Sequence, residues 1–216
     1  TSLIPARGGS KGISNKNIKE FSGQPLINHT IRQALSTPMI DSVYVSTDND
    51  KIANISRKAG AKVPFIRPSK YAQDDSLDLP VFVHFINWIK QHEGYDPDII
   101  VHLRPTSPLR TISMIERAIQ LLLENPDADS VRTVCSPTQN PHKMWIINPS
   151  GYLSPILKTE IHEQWNQPRQ ILPNVYWQNG YVDVTRNNTI MEKQSMTGTK
   201  ILPLLIDETD FIDIDN

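Results

Sequence analysis

Short apolar runs rich in β-branched residues alternate along this chain with longer segments whose apolar residues recur at helical spacing. Residues 99–103 read Ile-Ile-Val-His-Leu and predict a strand, while residues 78–91 predict a helix. Strands that alternate with helices of about 10 to 15 residues predict βαβ units. We therefore predict an α/β fold with a mostly parallel sheet. Further strands are predicted at the start of the chain and at 41–48, 63–66, 130–134, 181–184 and 201–205, and further helices at 25–35, 50–59 and 112–124.

Polar residues cluster where several of these strands end. Ligands of open α/β sheets bind beyond the carboxyl ends of the strands, so these residues are candidates for a binding site. The alternative is that the loops are polar only because loops are exposed, but solubility alone does not require so many strand-end arginines. The candidates are residues 7–16, Ser46 to Asp48, Arg67, and the stretch from Arg104 to Arg110.

The first of these loops has the composition of an anion cradle. It follows an apolar run that ends at Pro5, and it combines three glycines with the cations Arg7, Lys11 and Lys16. Glycines let backbone N–H groups approach a ligand closely, and flanking cations compensate a polyphosphate. The glycine spacing fits neither a P-loop nor a dinucleotide fingerprint. A basic surface loop without a ligand is the alternative.

Composition restricts the class of protein. The chain has 216 residues and a formal net charge of −1, which gives no global basic field for nucleic acid. No apolar run approaches the roughly 18 residues needed to span a bilayer, and Cys135 is the single cysteine. We therefore expect a cytoplasmic protein with neither a nucleic acid nor a membrane as partner. The chain lacks an initiator Met, and we expect both of its ends to be trimmed.

Residues 137–173 interrupt the alternation. This segment holds six prolines and no long periodic run, so it predicts an inserted arm within a single domain spanning residues 1–216. The cations Lys143 and Arg169 lie in the arm. They are either ordinary surface charge or a pair that reaches over the site to hold an anionic acceptor.

The stretch from Asp207 to Asp215 is the only dense carboxylate cluster. If 212–215 is extended, Asp213 and Asp215 project from one face, because the side-chain period of a strand is two. Two such carboxylates suit Mg²⁺, which is usually bound by one or two carboxylates together with substrate phosphates. A solvated acidic tail is the alternative.

The histidines lack the spacing of a zinc site, and we expect both His102 and Cys135 to be packed residues.

The order of these features resembles the acylneuraminate cytidylyltransferase family, which comprises CMP-sialic acid synthetases and relatives acting on other nonulosonic acids and on KDO. The resemblance extends from residue 4 to residue 215. It rests on Ile4-Pro5-Ala6-Arg7-Gly8-Gly9-Ser10-Lys11-Gly12 with Lys16-Asn17, Val45-Ser46-Thr47-Asp48, Arg67-Pro68 with Ala72 and Asp74, Leu103-Arg104-Pro105-Thr106-Ser107-Pro108-Leu109-Arg110, Pro141-His142-Lys143, Pro168-Arg169-Gln170 with Asn179-Gly180, and Asp213-Ile214-Asp215.

The resemblance implies a Rossmann-like nucleotidyltransferase whose arm exchanges across a homodimer. It also implies roles for individual residues. Nucleotide binding falls to Ala6, Arg7, Gly8, Ser10, Lys16, Asn17 and Arg67; sugar binding to Arg104, Lys143, Arg169 and Asn179; Mg²⁺ binding to Asp213 and Asp215; and catalysis to Arg7, Lys16 and Asp215.

Two departures from the family pattern concern the sugar. Arg104 stands where Gln is usual in the sialic acid enzymes, at a position that looks toward the sugar. Residues 179–183 read Asn-Gly-Tyr-Val-Asp in place of the commoner Asn-Gly-Ala-Ile-Tyr. The nucleotide residues keep the pattern, apart from Ser14 in place of a frequent proline.

The implied reaction is Mg²⁺-dependent activation of an acidic nonulosonic-type sugar by CTP, giving a CMP-sugar and pyrophosphate. Such an in-line transfer relies on positioning and charge neutralisation, so it needs no side-chain nucleophile. One alternative is a nucleotidyltransferase for KDO or a hexose phosphate. Another is a nucleotide-binding homologue without turnover.

Overall fold

The computed structural model describes residues 1–9, 12–207 and 214, and the elements in this part of the chain alternate as the sequence predicts. The strands are β1 (Ser2–Pro5), β2 (Glu20–Phe21), β3 (Gln24–Pro25), β4 (Val43–Ser46), β5 (Ile99–His102), β6 (Ser130–Cys135), β7 (Trp145–Ile147), β8 (Leu153–Pro155), β9 (Trp177–Arg186) and β10 (Ile201–Leu205). The α-helices are α1 (Leu26–Leu35), α2 (Asp50–Lys58), α3 (Asp78–Glu93), α4 (Ile112–Leu123) and α5 (Asn187–Met191).

Six strands form one mixed sheet in the order β10-β6-β9-β5-β1-β4. Strand β9 runs antiparallel to both of its neighbours, and the other pairings are parallel. The prediction of an α/β fold with a mostly parallel sheet is confirmed. Because β1, β4 and β5 are parallel, the loops that follow them emerge at the same edge of the sheet.

An apolar layer covers each face of the sheet. One layer contains Ile27 and Ile31 of α1 together with Ile115 of α4. The other contains Phe82 and Phe85 of α3. All five side chains are fully buried, and each such burial stabilises the fold by about 1.5–3 kcal/mol. These helices therefore hold the sheet rigidly enough to position the loops at its edge.

Caps fix both ends of α2, the helix that begins near that edge. The Asn49 side-chain oxygen accepts hydrogen bonds from the backbone N–H groups of Lys51 and Ile52, at 2.9 and 3.2 Å, and so begins α2. Gly60 follows the same helix with φ of 99°, the left-handed conformation that favours glycine after a helix. Capping thus sets where the loop between β4 and α2 ends.

The prediction of a strand at 63–66 is wrong. In the structure an isolated bridge joins Lys62 to Tyr44, and the chain then leaves the sheet. Pro64 has no N–H to donate to a ladder, and the Val63 carbonyl accepts instead from the Arg57 guanidinium at 2.8 Å. The segment therefore runs as an irregular connection that leads to Arg67.

The segment predicted as an arm contains the β7–β8 hairpin and three short 3-10 turns. Its hairpin carries the exposed apolar side chains Ile147 and Leu153, at 76% and 61% exposure.

Cys135 is buried and unpaired, as expected. Among the described residues, the helices are all too short or too polar to cross a membrane.

Candidate active site

A cleft of about 640 Å³ opens at the sheet edge where β1 and β5 end and β9 begins. It collects residues from loops that are far apart in sequence. Six of the residues predicted to bind nucleotide or sugar line it: Arg7, Lys16, Asn17, Arg67, Arg104 and Asn179. The sheet topology therefore brings four of the seven predicted nucleotide residues and two of the four predicted sugar residues to one cavity, whereas Ala6 and Gly8 do not line it.

The loop after β1 is fixed by contacts with its neighbours. The Gly8 N–H donates to Asp48 Oδ1 at 2.8 Å, and the Asn17 side-chain amide donates to the Arg7 carbonyl at 2.9 Å. A Cβ on Gly8 would lie 2.9 Å from Asn49 Nδ2, closer than real Cβ contacts allow. Buried Ala6 extends the β1–β4 pairing through its N–H, which donates to the Ser46 carbonyl. The absence of a Cβ at Gly8 therefore lets the loop approach Asn49 at the start of α2.

Two arginines place positive charge on this side of the cleft. Arg7 Nη1 lies 3.0 Å from Asp74 Oδ1 and donates to the Gln73 carbonyl at 2.8 Å. Arg67 is buried, with its Nη2 4.0 Å from Asp48 Oδ1. Burial lowers the pKa of Arg67 and the nearby Asp48 carboxylate opposes that shift, but an arginine stays charged in either case. Lys16, which is half-buried, adds a third cation to the wall.

The other side of the cleft is formed by the loop after β5 and the first half of β9. Arg104 Nη1 donates to Asp183 Oδ2 at 2.6 Å and to the Gly180 carbonyl at 3.2 Å. Asn179 is buried, and its side-chain oxygen accepts from the Tyr181 N–H at 3.1 Å. Within the described chain the Asn179 side-chain N–H₂ group is buried without a protein partner, a donor available to a ligand of the cleft.

His102 lies beneath this wall and is 2% exposed, so the prediction that it is packed is confirmed. Its Nδ1 is 4.0 Å from the carboxylates of both Asp78 and Asp183. Burial, with a further contribution from nearby arginines that include Arg104, lowers the pKa of His102 well below its usual value. The imidazole is therefore neutral at pH 7.

The two arm cations that were predicted to bind the sugar lie outside the cleft of their own chain. Lys143 and Arg169 are exposed and do not line the cleft, and Arg169 donates to the Thr138 carbonyl at 2.5 Å. Their contact with the sugar stays a prediction.

The other predicted residues, Ser10, Asp213 and Asp215, lie outside the described part of the chain. Ile214, which separates the two aspartates in sequence, is described, and its N–H donates to the Thr106 carbonyl at 2.9 Å. Thr106 lines the cleft. The acidic stretch thus has one described residue anchored beside the cavity, and its carboxylates are of the kind that Mg²⁺ prefers.

Three carboxylates were not assigned to the site from the sequence: Asp74 and Asp78, which line the cleft, and Asp183, which is buried behind Arg104. Asp74 was recognised only as part of a motif, and Asp183 only as a departure from the family pattern. Asp78 is the first residue of α3, a position that favours an acidic side chain in any helix. An acidic residue at this position therefore does not indicate that Asp78 faces Arg104.

The family described as cytidylyltransferase matches residues 1–164, about three quarters of the chain. The chain belongs to the cytidylyltransferase family. Cytidylyltransferases are nucleotidyltransferases, so the enzyme class predicted from the sequence is confirmed.

Relatives within the family include enzymes named for acidic sugars. CMP-N,N′-diacetyllegionaminic acid synthase of Legionella pneumophila is 30% identical over 217 residues, which cover 99% of this chain and 89% of that protein. Pseudaminic acid cytidylyltransferase of Campylobacter jejuni is 36% identical over 123 residues, which cover 57% of this chain and 53% of that protein.

The structure of CMP:2-keto-3-deoxy-manno-octonic acid synthetase complexed with CTP has the same fold. It superposes with a TM-score of 0.72 over 100% of this chain and 92% of that one, at 16% sequence identity. The Rossmann-like cytidylyltransferase architecture implied by the sequence is therefore confirmed.

Proposed function

We propose that this cytidylyltransferase joins the CMP moiety of CTP to the anomeric hydroxyl of an acidic nonulosonic-type sugar and releases pyrophosphate. The observation that carries the proposal is the single cleft that contains both Arg7, Lys16, Asn17 and Arg67 and, across from them, Arg104 and Asn179. The names of the relatives support an acidic sugar as the acceptor.

In this reaction the anomeric oxygen forms a bond to the α-phosphorus of CTP. The bond from that phosphorus to the oxygen bridging the α- and β-phosphates breaks, and pyrophosphate leaves with the electron pair. The anomeric hydroxyl gives up its proton to solvent water as the bond forms. Charge builds on phosphate oxygens, which Arg7 and Lys16 would neutralise from the cleft wall.

Asp213 and Asp215 would hold Mg²⁺ next to the phosphates. Bound there, the ion would supply positive charge to the phosphate oxygens and favour departure of pyrophosphate. The hydrogen bond between Ile214 and Thr106 supports this location.

We further propose that two copies of the chain associate through the arm. The β7–β8 hairpin leaves Ile146, Ile147 and Leu153 exposed, at 51%, 76% and 61%. Neighbouring exposed aliphatic residues are characteristic of a surface that another protein covers. Such an arrangement would also place the arm cations Lys143 and Arg169 near the cleft of the second copy.

Because the reaction consumes CTP, we expect it to take place in the cytoplasm.

A pyrophosphate-release assay with a matrix of substrates tests the proposal. CTP, UTP, GTP and ATP are each combined with N-acetylneuraminate, pseudaminic acid, N,N′-diacetyllegionaminic acid, KDO or a hexose 1-phosphate, in the presence of Mg²⁺. We expect release with CTP and at least one nonulosonic acid. Turnover only with a hexose phosphate, or none with any pair, would contradict the proposal.

A further inference from the structure

Alternating charges link the core of the sheet to the wall of the cleft. Arg132 Nη1 lies 2.9 Å from Asp183 Oδ2, and the same oxygen lies 2.6 Å from Arg104 Nη1. Arg104 Nη2 in turn lies 3.4 Å from Asp78 Oδ2. Side-chain exposure rises outward along the series, from 5% and 0% at Arg132 and Asp183 to 31% and 44% at Arg104 and Asp78. The inner end is sealed in protein, and the outer end faces the cavity.

The sheet register creates the inner half of this series. Asp183 of β9 is the register partner of Arg132 on β6 and of His102 on β5. The three side chains therefore form a row across neighbouring strands, with a neutral imidazole on one side of the carboxylate and a guanidinium on the other. A fully buried carboxylate requires such compensation. Asp183 cannot move away from Arg104 without also leaving Arg132.

Backbone contacts fix Arg104 as well. Its carbonyl accepts from Arg110 Nη2 at 2.9 Å, and its guanidinium lies against Gly180, whose φ is 68°. A Cβ at position 180 would come within 2.8 Å of Arg104 Nη1. The guanidinium is thus held by Asp183 and the Gly180 carbonyl on one side and by Asp78 on the other.

We propose that Asp183 is a positioning residue that aims Arg104 at the acceptor sugar, so that the Arg104–Asp183 pair helps to determine which sugar is accepted. The inference rests on the proposed function, because it concerns the acceptor half of the same cleft. Arg104 and Asp183, which both depart from the family pattern, are direct partners in the structure. Their joint change suits an acceptor whose group at this wall accepts hydrogen bonds, such as a carbonyl or carboxylate oxygen, since a guanidinium can only donate.

The test separates positioning from general stabilisation by steady-state kinetics. Asp183→Asn, Arg104→Gln and the double variant are compared with the unchanged chain, using CTP and whichever nonulosonic acid of the panel gives the highest turnover. We expect Asp183→Asn to raise the KM for the sugar about tenfold and the KM for CTP by less than about twofold. The double variant should match Arg104→Gln alone, because Asp183 acts through Arg104.

Asp129→Asn is the matched control. Asp129 is also buried, and its carboxylate lies 2.5 Å from Lys193, but it does not line the cleft. This variant should lower the melting temperature and leave both KM values unchanged. An unchanged sugar KM in folded Asp183→Asn, or equal rises in both KM values, would overturn the proposal and assign Asp183 a purely structural role.

If Asp183→Asn does not fold, Asp78→Asn provides the same comparison, because Asp78 is the exposed partner of Arg104. A smaller rise in sugar KM alone is expected, and no rise would overturn the proposal. The guanidinium ¹⁵N resonances of Arg104, measured by NMR, give a readout that does not require turnover. We expect slow rotation of the guanidinium in the unchanged chain and averaged signals in Asp183→Asn or Asp78→Asn. Averaged signals in the unchanged chain would overturn the proposal.

Failure of the proposed function would look different, because no acceptor would then give pyrophosphate.

Discussion

Arg7 approaches the cleft already paired, because Asp74 and the Gln73 carbonyl both contact its Nη1 atom. A triphosphate would therefore exchange one anionic partner for another rather than recruit an unpaired cation. The side chain is 31% exposed, so the ion pair with Asp74 is screened by solvent and can be displaced. These two contacts orient the guanidinium at the wall of the cleft.

Replacing Arg7 or Lys16 tests the phosphate assignment. We expect Arg7→Ala and Lys16→Ala each to lower kcat/KM for CTP by at least about tenfold, since each removes a charge-assisted contact to phosphate. Lys58→Ala, at an exposed cation of α2 that does not line the cleft, is the control and should have no effect. Full activity in both cleft variants would rule out the assigned role.

The buried imidazole of His102 predicts a dependence of stability on pH. Burial lowers its pKa in the folded state, so below about pH 6.5 the unfolded chain binds a proton that the folded chain does not. Folding stability should therefore fall as the pH drops from 6.5, by up to about 1.4 kcal/mol per pH unit from this one group.

Denaturant unfolding of the unchanged chain and of His102→Gln between pH 7.5 and 5 measures this effect. The variant should lose the additional acid sensitivity. His162→Gln, at an exposed position in the arm, controls for the loss of a histidine. Identical pH slopes in the unchanged chain and in His102→Gln would show that His102 is not neutral and buried in solution.

Among individual residues, the sequence predicted the cleft wall that holds Arg7, Lys16 and Asn17 better than the wall that holds Arg104. Arg7, Lys16 and Asn17 belong to one loop after one strand, so their proximity follows from local sequence. Arg104 and Asp183 are distant in sequence and meet only because β5 and β9 are neighbours. Strand order across a sheet is not encoded in the periodicity of any one strand, and this contact was therefore missed.

At the scale of whole elements, the helices and the central strands were predictable and the irregular segments were not. Helix α3 was predicted at 78–91 and spans Asp78–Glu93, because its apolar spacing matches the helical period. The β2–β3 hairpin escaped notice because each strand has only two residues. The wrong strand at 63–66 shows that an apolar run does not join a sheet when a proline interrupts its donors.

The exposed hairpin of the arm predicts an effect on assembly. Ile147→Glu places a charge on the surface where we expect the second copy to pack, so it should convert a dimer into a monomer. Light scattering at several concentrations measures the mass. Leu123→Glu, at a 51%-exposed position of α4, is the control and should stay dimeric. A monomeric unchanged chain would contradict the proposed association.

We predict that Mg²⁺ is held by Asp213 and Asp215, in the segment that follows β10. Asp215→Asn keeps the shape of the side chain but removes its charge, so we expect turnover to be nearly abolished without loss of fold. Asp207→Asn, at an exposed residue just after β10 that does not line the cleft, should be close to neutral. Activity across a Mg²⁺ titration, with thermal melting as the folding control, compares the two variants.

Binding of Mn²⁺ followed by electron paramagnetic resonance supplies a readout that does not require turnover. Asp215→Asn should weaken Mn²⁺ binding in the presence of CTP, and Asp207→Asn should not. A damaging Asp207→Asn combined with a silent Asp215→Asn would show that other carboxylates bind the ion.

Taken as a whole, the molecule is a sheet whose edge gathers loops from the first half of the chain and one strand from the second. Cations from the loop after β1 and from the connection after β4 face Arg104 and Asn179 across the same cleft. This arrangement is suited to hold a nucleotide and a second anionic substrate side by side, which an in-line transfer between them requires. The reaction itself is the central proposal.

Isotope tracing of the transferred oxygen tests that proposal most directly. The unchanged chain is incubated with CTP, Mg²⁺ and a nonulosonic acid that carries ¹⁸O at its anomeric hydroxyl, and the products are analysed by mass spectrometry. We predict a CMP-sugar that retains the ¹⁸O between the sugar and the phosphorus, together with unlabelled pyrophosphate. Two results would contradict attack by the anomeric oxygen on the α-phosphorus. One is consumption of CTP without formation of a CMP-sugar. The other is a CMP-sugar that lacks ¹⁸O although the unreacted sugar still carries it.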